Sequence, residues 1–176
     1  MSVDVPDVRY ARSGDVAIAY QVVGDGPPDL VFLPFLSSPW WLWRYPRFEP
    51  FATRLAESCR LVLVNTRGMG LSDRPRGLTI EARMDDILAV LDELAIKRCT
   101  LLGIAESAAT CILFAASYPE RVERLIVYLP AARGIASEDA WTSSIVAAAP
   151  TARAAALPHS SAESSVRTAR TRFDGA

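Results

Sequence analysis

Short apolar runs alternate with amphipathic segments along the first three quarters of the chain. The runs are rich in leucine and β-branched residues and predict six strands, over residues 8–12, 16–23, 30–33, 61–65, 99–104 and 122–129. Between the later runs, apolar residues recur at helical spacing and predict helices over about 48–58, 79–95 and 108–118. Strands and helices that alternate in this way predict an α/β fold. Its sheet is mostly parallel, with helices on both faces and a hairpin formed by the first two strands.

The second predicted helix shows the clearest amphipathic pattern. Thr79 is a candidate N-cap, because a threonine oxygen accepts a hydrogen bond from a free N–H group of the first turn. The apolar positions that follow form one face, and the acidic positions fall on the opposite, solvent-facing side: Asp85, Asp86, Asp92 and Glu93.

The pattern changes after Ala136. Alanine, serine and threonine dominate residues 137–176, where large apolar residues are few and show no period. We therefore expect two parts. Residues 1–136 form the α/β core, and residues 137–176 form a poorly ordered tail with no strand and at most a loose helix.

Charge and composition narrow the possible functions. The net charge is −1 and the arginines are dispersed, which argues against nucleic acid as a partner. No apolar run approaches the roughly 20 residues that a membrane span needs, and the first residues do not resemble a signal peptide. The three cysteines lack metal-ligand spacing, and no phosphate-binding fingerprint is present. We expect a cytoplasmic protein without a metal or cofactor.

The stretch Leu101–Ala109 joins a predicted strand directly to a predicted helix. Such a turn carries the nucleophilic serine of one large class of hydrolases, in the pattern G-x-S-x-G. Here Gly103 occupies the first glycine position, Ala105 occupies the serine position and Ser107 occupies the second glycine position. A methyl group cannot attack a carbonyl carbon, so the sequence predicts the turn without its nucleophile.

Several further motifs accompany this turn, and residues 10–133 together resemble the N-terminal half of an α/β-hydrolase of the AB hydrolase-1 type. More narrowly, the chain resembles bacterial hydrolase domains found alone or fused to adenylate/guanylate cyclase or regulator domains. The motifs are Leu-Val-Phe-Leu-Pro from Leu30, Trp41 with Trp43, Pro46-Arg47-Phe48, the segment Arg60–Asp73 with its Arg-Gly loop, and Ser117–Val122. Asn65 stands where the family usually has an aspartate.

The resemblance also implies where the rest of an active site belongs. The backbone N–H groups of Phe35 and Glu106 take the positions of the oxyanion-hole donors. The family has a His-Gly pair where this chain has Pro34-Phe35, and the narrower group often has Pro-Gly, so Phe35 is the unusual residue. The family's acid and histidine follow later strands, which this sequence does not predict. The only histidine is His159, in the tail, and Glu138 and Asp139 are weak candidates for the acid.

Three tryptophans lie close together before the first predicted helix: Trp40, Trp41 and Trp43. One interpretation is an aromatic cluster that packs over the top of the sheet. The other is the lining of a pocket for a small apolar or acyl ligand. The sequence leaves both open.

Three functional hypotheses follow. The first is a hydrolase relative with little or no activity, and the second is a module that binds or regulates through a retained pocket. The third is an active serine esterase, which requires either a longer natural product or Ser107 as a substitute nucleophile. Because the segment Val122–Leu129 would form an uncovered sheet edge, we also expect either marginal stability or self-association through it.

Overall fold

The computed structural model describes residues 5–34 and 42–130. Within them lie the six predicted strands: β1 (Arg9–Ser13), β2 (Val16–Val23), β3 (Asp29–Leu33), β4 (Arg60–Val64), β5 (Cys99–Ile104) and β6 (Val122–Tyr128). The three predicted helices are also found: α1 (Phe48–Ala56), α2 (Ile80–Glu93) and α3 (Glu106–Ser117), followed by a short 3-10 turn (Pro119–Arg121). Phe35, Trp40, Trp41, Glu138, Asp139, His159 and the predicted tail lie outside the described residues.

The strands form one sheet in the order β1-β2-β4-β3-β5-β6. The β1–β2 hairpin and the β2–β4 pair are antiparallel, whereas β4, β3, β5 and β6 run parallel. The predicted α/β class and the hairpin are confirmed. Because the four parallel strands end at the same edge, the turns that follow β3, β4 and β5 meet there.

The central strands β2, β4, β3 and β5 are covered on both faces, as their continuous apolar sequences require, whereas β6 is exposed along most of its length. Along β3 and β4 alternate residues enter two separate cores. Val31 and Val62 pack in the core that includes residues of α2 and α3, while Leu30 and Leu61 pack in the core that includes Phe48 of α1. Period-two alternation into two apolar cores explains why these short strands lack polar positions.

Helix α2 begins where the sequence places its cap. Thr79 has extended backbone angles, and its hydroxyl oxygen accepts a hydrogen bond from the N–H of Ala82 at 3.2 Å. The acidic side of the helix is not wholly solvated, however. Asp86 is fully buried and forms an ion pair with Arg67 at 2.6 Å, so the prediction that it faces solvent is wrong.

The Arg-Gly loop that contains Arg67 fastens the hairpin to the sheet. Beyond the end of the β2–β4 ladder, the N–H of Ala19 donates to the hydroxyl oxygen of Ser72 at 2.8 Å, and the N–H of Ala17 donates to a carboxylate oxygen of Asp73 at 2.8 Å. These side chains satisfy strand donors that β4 no longer reaches.

Two searches of the described ranges bear on partners. No helix within residues 5–34 and 42–130 is both long enough and apolar enough to cross a bilayer. Over the same residues, no group of three or more histidine, cysteine, aspartate or glutamate side chains is arranged to hold a metal ion.

Candidate active site

The junction of β5 and α3 is a one-residue turn at Ala105. Its backbone angles are φ 53° and ψ −117°, in the left-handed half of the map where an L-residue with a side chain is strained. Holding a residue there costs on the order of 1–3 kcal/mol. The N–H of Ala105 donates to the carbonyl oxygen of Tyr128 at 2.9 Å, and its own carbonyl accepts from the N–H of Ala108 at 3.2 Å. The strained turn is therefore fixed from both sides.

Gly103 permits the close approach of α3 to β5. A Cβ at this position would lie 2.7 Å from Cα of Ala108 and 2.8 Å from Sγ of Cys111. The Cα of Ala108 is a backbone atom and cannot move without shifting α3. The first glycine of the elbow pattern thus has a packing role that does not depend on catalysis.

The Ser107 hydroxyl is occupied by local backbone groups. Two carbonyl oxygens compete for its one proton, that of Leu33 at 2.6 Å and that of Ile104 at 2.9 Å. The hydroxyl oxygen also accepts from the N–H of Ile104 at 2.9 Å. The side chain therefore links the end of β3 to the elbow. In the described part of the chain its acceptors are carbonyl groups, which cannot remove its proton.

A small pocket of mixed polar and apolar lining lies beside the elbow, at the edge where β3 and β4 end. It is bounded by Pro34, by Arg83 of α2, and by Glu106 and Thr110 of α3. Arg83 and Glu106 form an ion pair at 3.2 Å, with side chains 12% and 29% exposed. The Nε atom of Arg83 and the hydroxyl of Thr110 are buried without a hydrogen-bond partner among the described residues. Two buried polar groups left open at one pocket are unusual, because such groups nearly always find a partner.

Trp43 is the one tryptophan of the aromatic segment that the structure describes. It is buried, its ring meets Phe48 edge-on with centroids 5.2 Å apart, and its indole N–H donates to the side-chain oxygen of the buried Gln21 at 2.9 Å. Gln21 donates in turn to the carbonyl of Pro6. For Trp43 this geometry favours the packing interpretation. The positions of Trp40 and Trp41 as pocket residues stay predictions.

Sequence reasoning did not identify Arg83 and Thr110 as site residues. Arg83 occupies a helix position that has no motif, and Thr110 lies in a small-residue helix. A carboxylate at the start of α3, Glu106, was the one sequence feature that could have indicated a cationic neighbour. Its distance along the sequence from Arg83 follows no helix or strand period, so the sequence could not identify Arg83 as that neighbour.

Comparison with known proteins shows which chains this protein is similar to. No family model matches the chain. The chain is 32% identical over 129 residues to 3-oxoadipate enol-lactonase 2 of Acinetobacter baylyi, covering 72% of this chain and 46% of that protein. It is 29% identical over 124 residues to human epoxide hydrolase 4, covering 67% of this chain and 33% of that protein. Among solved structures, an enol-lactonase from Burkholderia xenovorans matches with 28% identity and a TM-score of 0.62, over 71% of this chain and 48% of the other.

The chain belongs to the α/β-hydrolase family. It spans less than half the length of these relatives, so the activity of a whole hydrolase does not transfer to it directly. The narrower resemblance to domains fused to cyclases or regulators stays a prediction.

The turn at Ala105 joins a parallel strand directly to a helix through strained backbone angles, which is the geometry that a nucleophile elbow has in the α/β-hydrolase fold. The family's serine would be exposed here, above the ends of the parallel strands, and the N–H of the following residue would face the oxyanion. The sequence pattern predicts Ala105 and Glu106 at those two positions. The catalytic roles assigned from the sequence to Ala105, Ser107, Glu106 and Phe35 stay predictions.

Proposed function

We propose that this chain is a catalytically impaired member of the α/β-hydrolase family. The observation that carries the proposal is Ala105, which holds the strained elbow geometry without a nucleophilic atom. Triad members act as a unit, so the loss of the nucleophile alone lowers the rate by on the order of 10⁶-fold. A fold that keeps the elbow while lacking its serine is suited to binding more than to turnover.

Ser107 does not provide a good replacement. A serine becomes a nucleophile when a base within hydrogen-bond reach accepts its proton. The Ser107 hydroxyl is directed at the main-chain carbonyls of Leu33 and Ile104, and the chain's single histidine is His159, far along the sequence. Moving Ser107 into an attacking position would also break the link between β3 and the elbow.

The pocket beside the elbow supports a binding role for a water-sized polar group only, because its volume is about 10 Å³, so the rest of a ligand would lie outside it. The open Nε–H of Arg83 and the Thr110 hydroxyl favour a ligand that offers a hydrogen-bond acceptor, such as a carbonyl or carboxylate oxygen. The apolar walls at Leu33 and Val64 favour a short hydrocarbon part. We propose small acyl compounds as the ligand class. Two curated relatives bear names that specify acyl compounds, 3-oxoadipate enol-lactone and 2-(acetamidomethylene)succinate, which supports this choice.

Ester turnover tests the impaired-hydrolase proposal. Purified protein, Ser107→Ala and Ala105→Ser would be compared with buffer in hydrolysis of p-nitrophenyl acetate, with fluorophosphonate labelling as a second readout. We expect the native rate to equal that of Ser107→Ala, and no covalent label on the native chain. A native rate above buffer that disappears in Ser107→Ala would refute the proposal and favour the active-esterase alternative.

Ligand binding is tested separately. Tryptophan fluorescence would be titrated with acetate, butyrate and phenylacetate, for the native chain, for Arg83→Met and for the matched surface variant Arg54→Met. We expect a saturable change at millimolar ligand that Arg83→Met loses and Arg54→Met keeps, since Arg54 is 84% exposed and remote from the pocket. No saturable change in the native chain would end the binding proposal.

A further inference from the structure

The pocket beside the elbow contains a cation and an anion that already compensate each other. Among the described residues that line it, the charged side chains are those of Arg83 and Glu106. They form an ion pair at 3.2 Å between Nη1 of Arg83 and Oε1 of Glu106. The other lining residues are uncharged, so the pocket as a whole carries no net charge.

Two hydrogen-bonding groups of the lining residues remain open beside this ion pair. The Nε–H of Arg83 and the hydroxyl of Thr110 have no partner among the described residues. Thr110 is only 1% exposed, and polar groups buried this deeply nearly always have a partner. An oxygen atom that enters the pocket and accepts from either group would remove the cost of leaving it unpaired.

The size of the pocket limits what can enter. Its volume of about 10 Å³ is that of a single water-sized group. A carbonyl group offers one oxygen atom, and the rest of such a ligand would stay outside. A carboxylate has two oxygens that share its charge. The second oxygen would remain outside with its share of the negative charge, near the carboxylate of Glu106, which is 29% exposed.

We propose that Glu106 determines the ligand specificity of this pocket, by selecting uncharged carbonyl groups such as those of amides, ketones and esters over carboxylates. This inference rests on the proposed binding function and narrows its ligand class. Arg83 already has Glu106 as its counter-ion, so a second carboxylate would lose hydration without meeting an uncompensated cation. A neutral carbonyl oxygen loses less hydration and still accepts a hydrogen bond from an N–H or O–H group.

The charge of Glu106 acts here against the wrong ligand, which is one of the two ways in which a site becomes specific. Removing that charge should therefore reverse the preference. In Glu106→Gln the side chain keeps its shape and an acceptor oxygen for Nη1 of Arg83, but the guanidinium charge is no longer compensated. We expect this variant to bind a carboxylate more tightly than a neutral compound of the same shape.

Nuclear magnetic resonance titrations measure this preference directly. Acetamide and acetate have the same shape and differ in charge, and acetone is an uncharged probe without an N–H group. Dissociation constants would be taken at pH 8 from the shifts of the Arg83 Nε–H signal and of the backbone amides of Glu106 and Thr110. We expect acetamide and acetone to bind the native chain about tenfold more tightly than acetate.

Glu57→Gln is the matched control for Glu106→Gln. It makes the same change in net charge, but at an exposed ion pair with Arg54 that does not line the pocket. This variant should keep the native preference for acetamide and acetone.

The outcomes separate this inference from the proposed function. If acetate bound the native chain as tightly as acetamide, the role of Glu106 would be overturned while the binding function stood. An unchanged preference in Glu106→Gln would also overturn it, as would the same reversal in Glu57→Gln. If none of the three probes gave a saturable shift of these signals, the binding function itself would fail, and the selection by Glu106 with it.

Discussion

The hydroxyl oxygen of Ser107 lies 2.6 Å from the carbonyl oxygen of Leu33, and this contact joins two elements that are 74 residues apart in the chain. Leu33 ends β3, and Ser107 lies in the first turn of α3. The family pattern places a glycine at this position, which can make no such bond. The serine has therefore become part of the structure of the elbow.

Replacing Ser107 with alanine should weaken the fold without altering reactivity. The substitution leaves the carbonyl of Leu33 and the N–H of Ile104 without these partners, at a cost of about 1–2 kcal/mol in unfolding free energy. Urea denaturation measures the change. Ser117→Ala, at the exposed end of α3, is the control and should change the midpoint little. An unchanged midpoint for Ser107→Ala would mean that the bond contributes nothing to stability.

The strain at Ala105 gives a substitution that should stabilise the protein. Glycine adopts φ 53° without the steric penalty of a Cβ, so Ala105→Gly should raise the unfolding free energy by about 1 kcal/mol, after allowance for the extra freedom of glycine in the unfolded chain. The matched control is Ala109→Gly within α3, which should lower it by about 1 kcal/mol. Thermal melts of the two variants should therefore shift in opposite directions. Shifts of the same sign would argue against strain at the elbow.

The fold was predictable because its signals are local. Each strand is a contiguous apolar run. Thr79 marks the start of α2, and the N–H that its side chain caps belongs to Ala82, only three residues later. The elbow was predictable for the same reason, since Gly103 and Ala105 lie within three residues of each other. The sheet order and the antiparallel β2–β4 pair, however, depend on which distant strands meet, and periodicity along the chain does not specify this.

The contacts of the site were not predictable, because each joins residues far apart in sequence. Arg83 and Glu106 are 23 positions apart, and Ser107 and Leu33 are 74 apart. Periodicity also assigned Asp86 to the solvent side of α2, because an acidic residue opposite an apolar face is usually solvated. A single ion-pair partner, the partly buried Arg67, reverses that expectation.

Substitutions that break the ion pair between Arg67 and Asp86 should lower the unfolding free energy more than most others. Asp86 is fully buried, its carboxylate also accepts from the backbone N–H of Arg67 at 2.7 Å, and the guanidinium reaches the Ser13 hydroxyl at 2.9 Å. Asp86→Ala leaves the partly buried guanidinium of Arg67 without its carboxylate and should cost about 3 kcal/mol, the low end of the range for a broken buried pair. The exposed pair of Arg54 and Glu57 is the control.

Exposed ion pairs contribute at most about 1 kcal/mol, so Glu57→Ala should leave the urea midpoint nearly unchanged. Equal losses in Asp86→Ala and Glu57→Ala would show that burial does not determine the strength of these pairs. Breaking the pair near the pocket, Arg83 with Glu106, should lower the unfolding free energy by an amount between these two values, because both of its side chains are partly exposed.

The buried cysteines should make stability depend on pH in alkaline solution. Burial, with a smaller contribution from Asp29, raises the pKa of Cys99 to about 12, and burial also raises the pKa of Cys111. Both thiols are neutral at pH 7 and should not react with a thiol reagent until the chain unfolds. Cys99 lies at the start of β5, where its thiol faces the carbonyl of Arg121 at 3.7 Å.

The sign of the pH effect follows from these shifts. Because the folded pKa of Cys99 is raised above its ordinary value of 9.0, the folded chain holds the proton longer than the unfolded chain does. The resulting stability is fully present below about pH 9 and is lost as the pH rises toward 12, by at most about 1.4 kcal/mol per pH unit for each thiol. Melting temperatures at pH 7, 9 and 10 measure this loss. Cys99→Ala should show a smaller decrease between pH 9 and 10 than the native chain, and an identical decrease would rule out Cys99 as a cause.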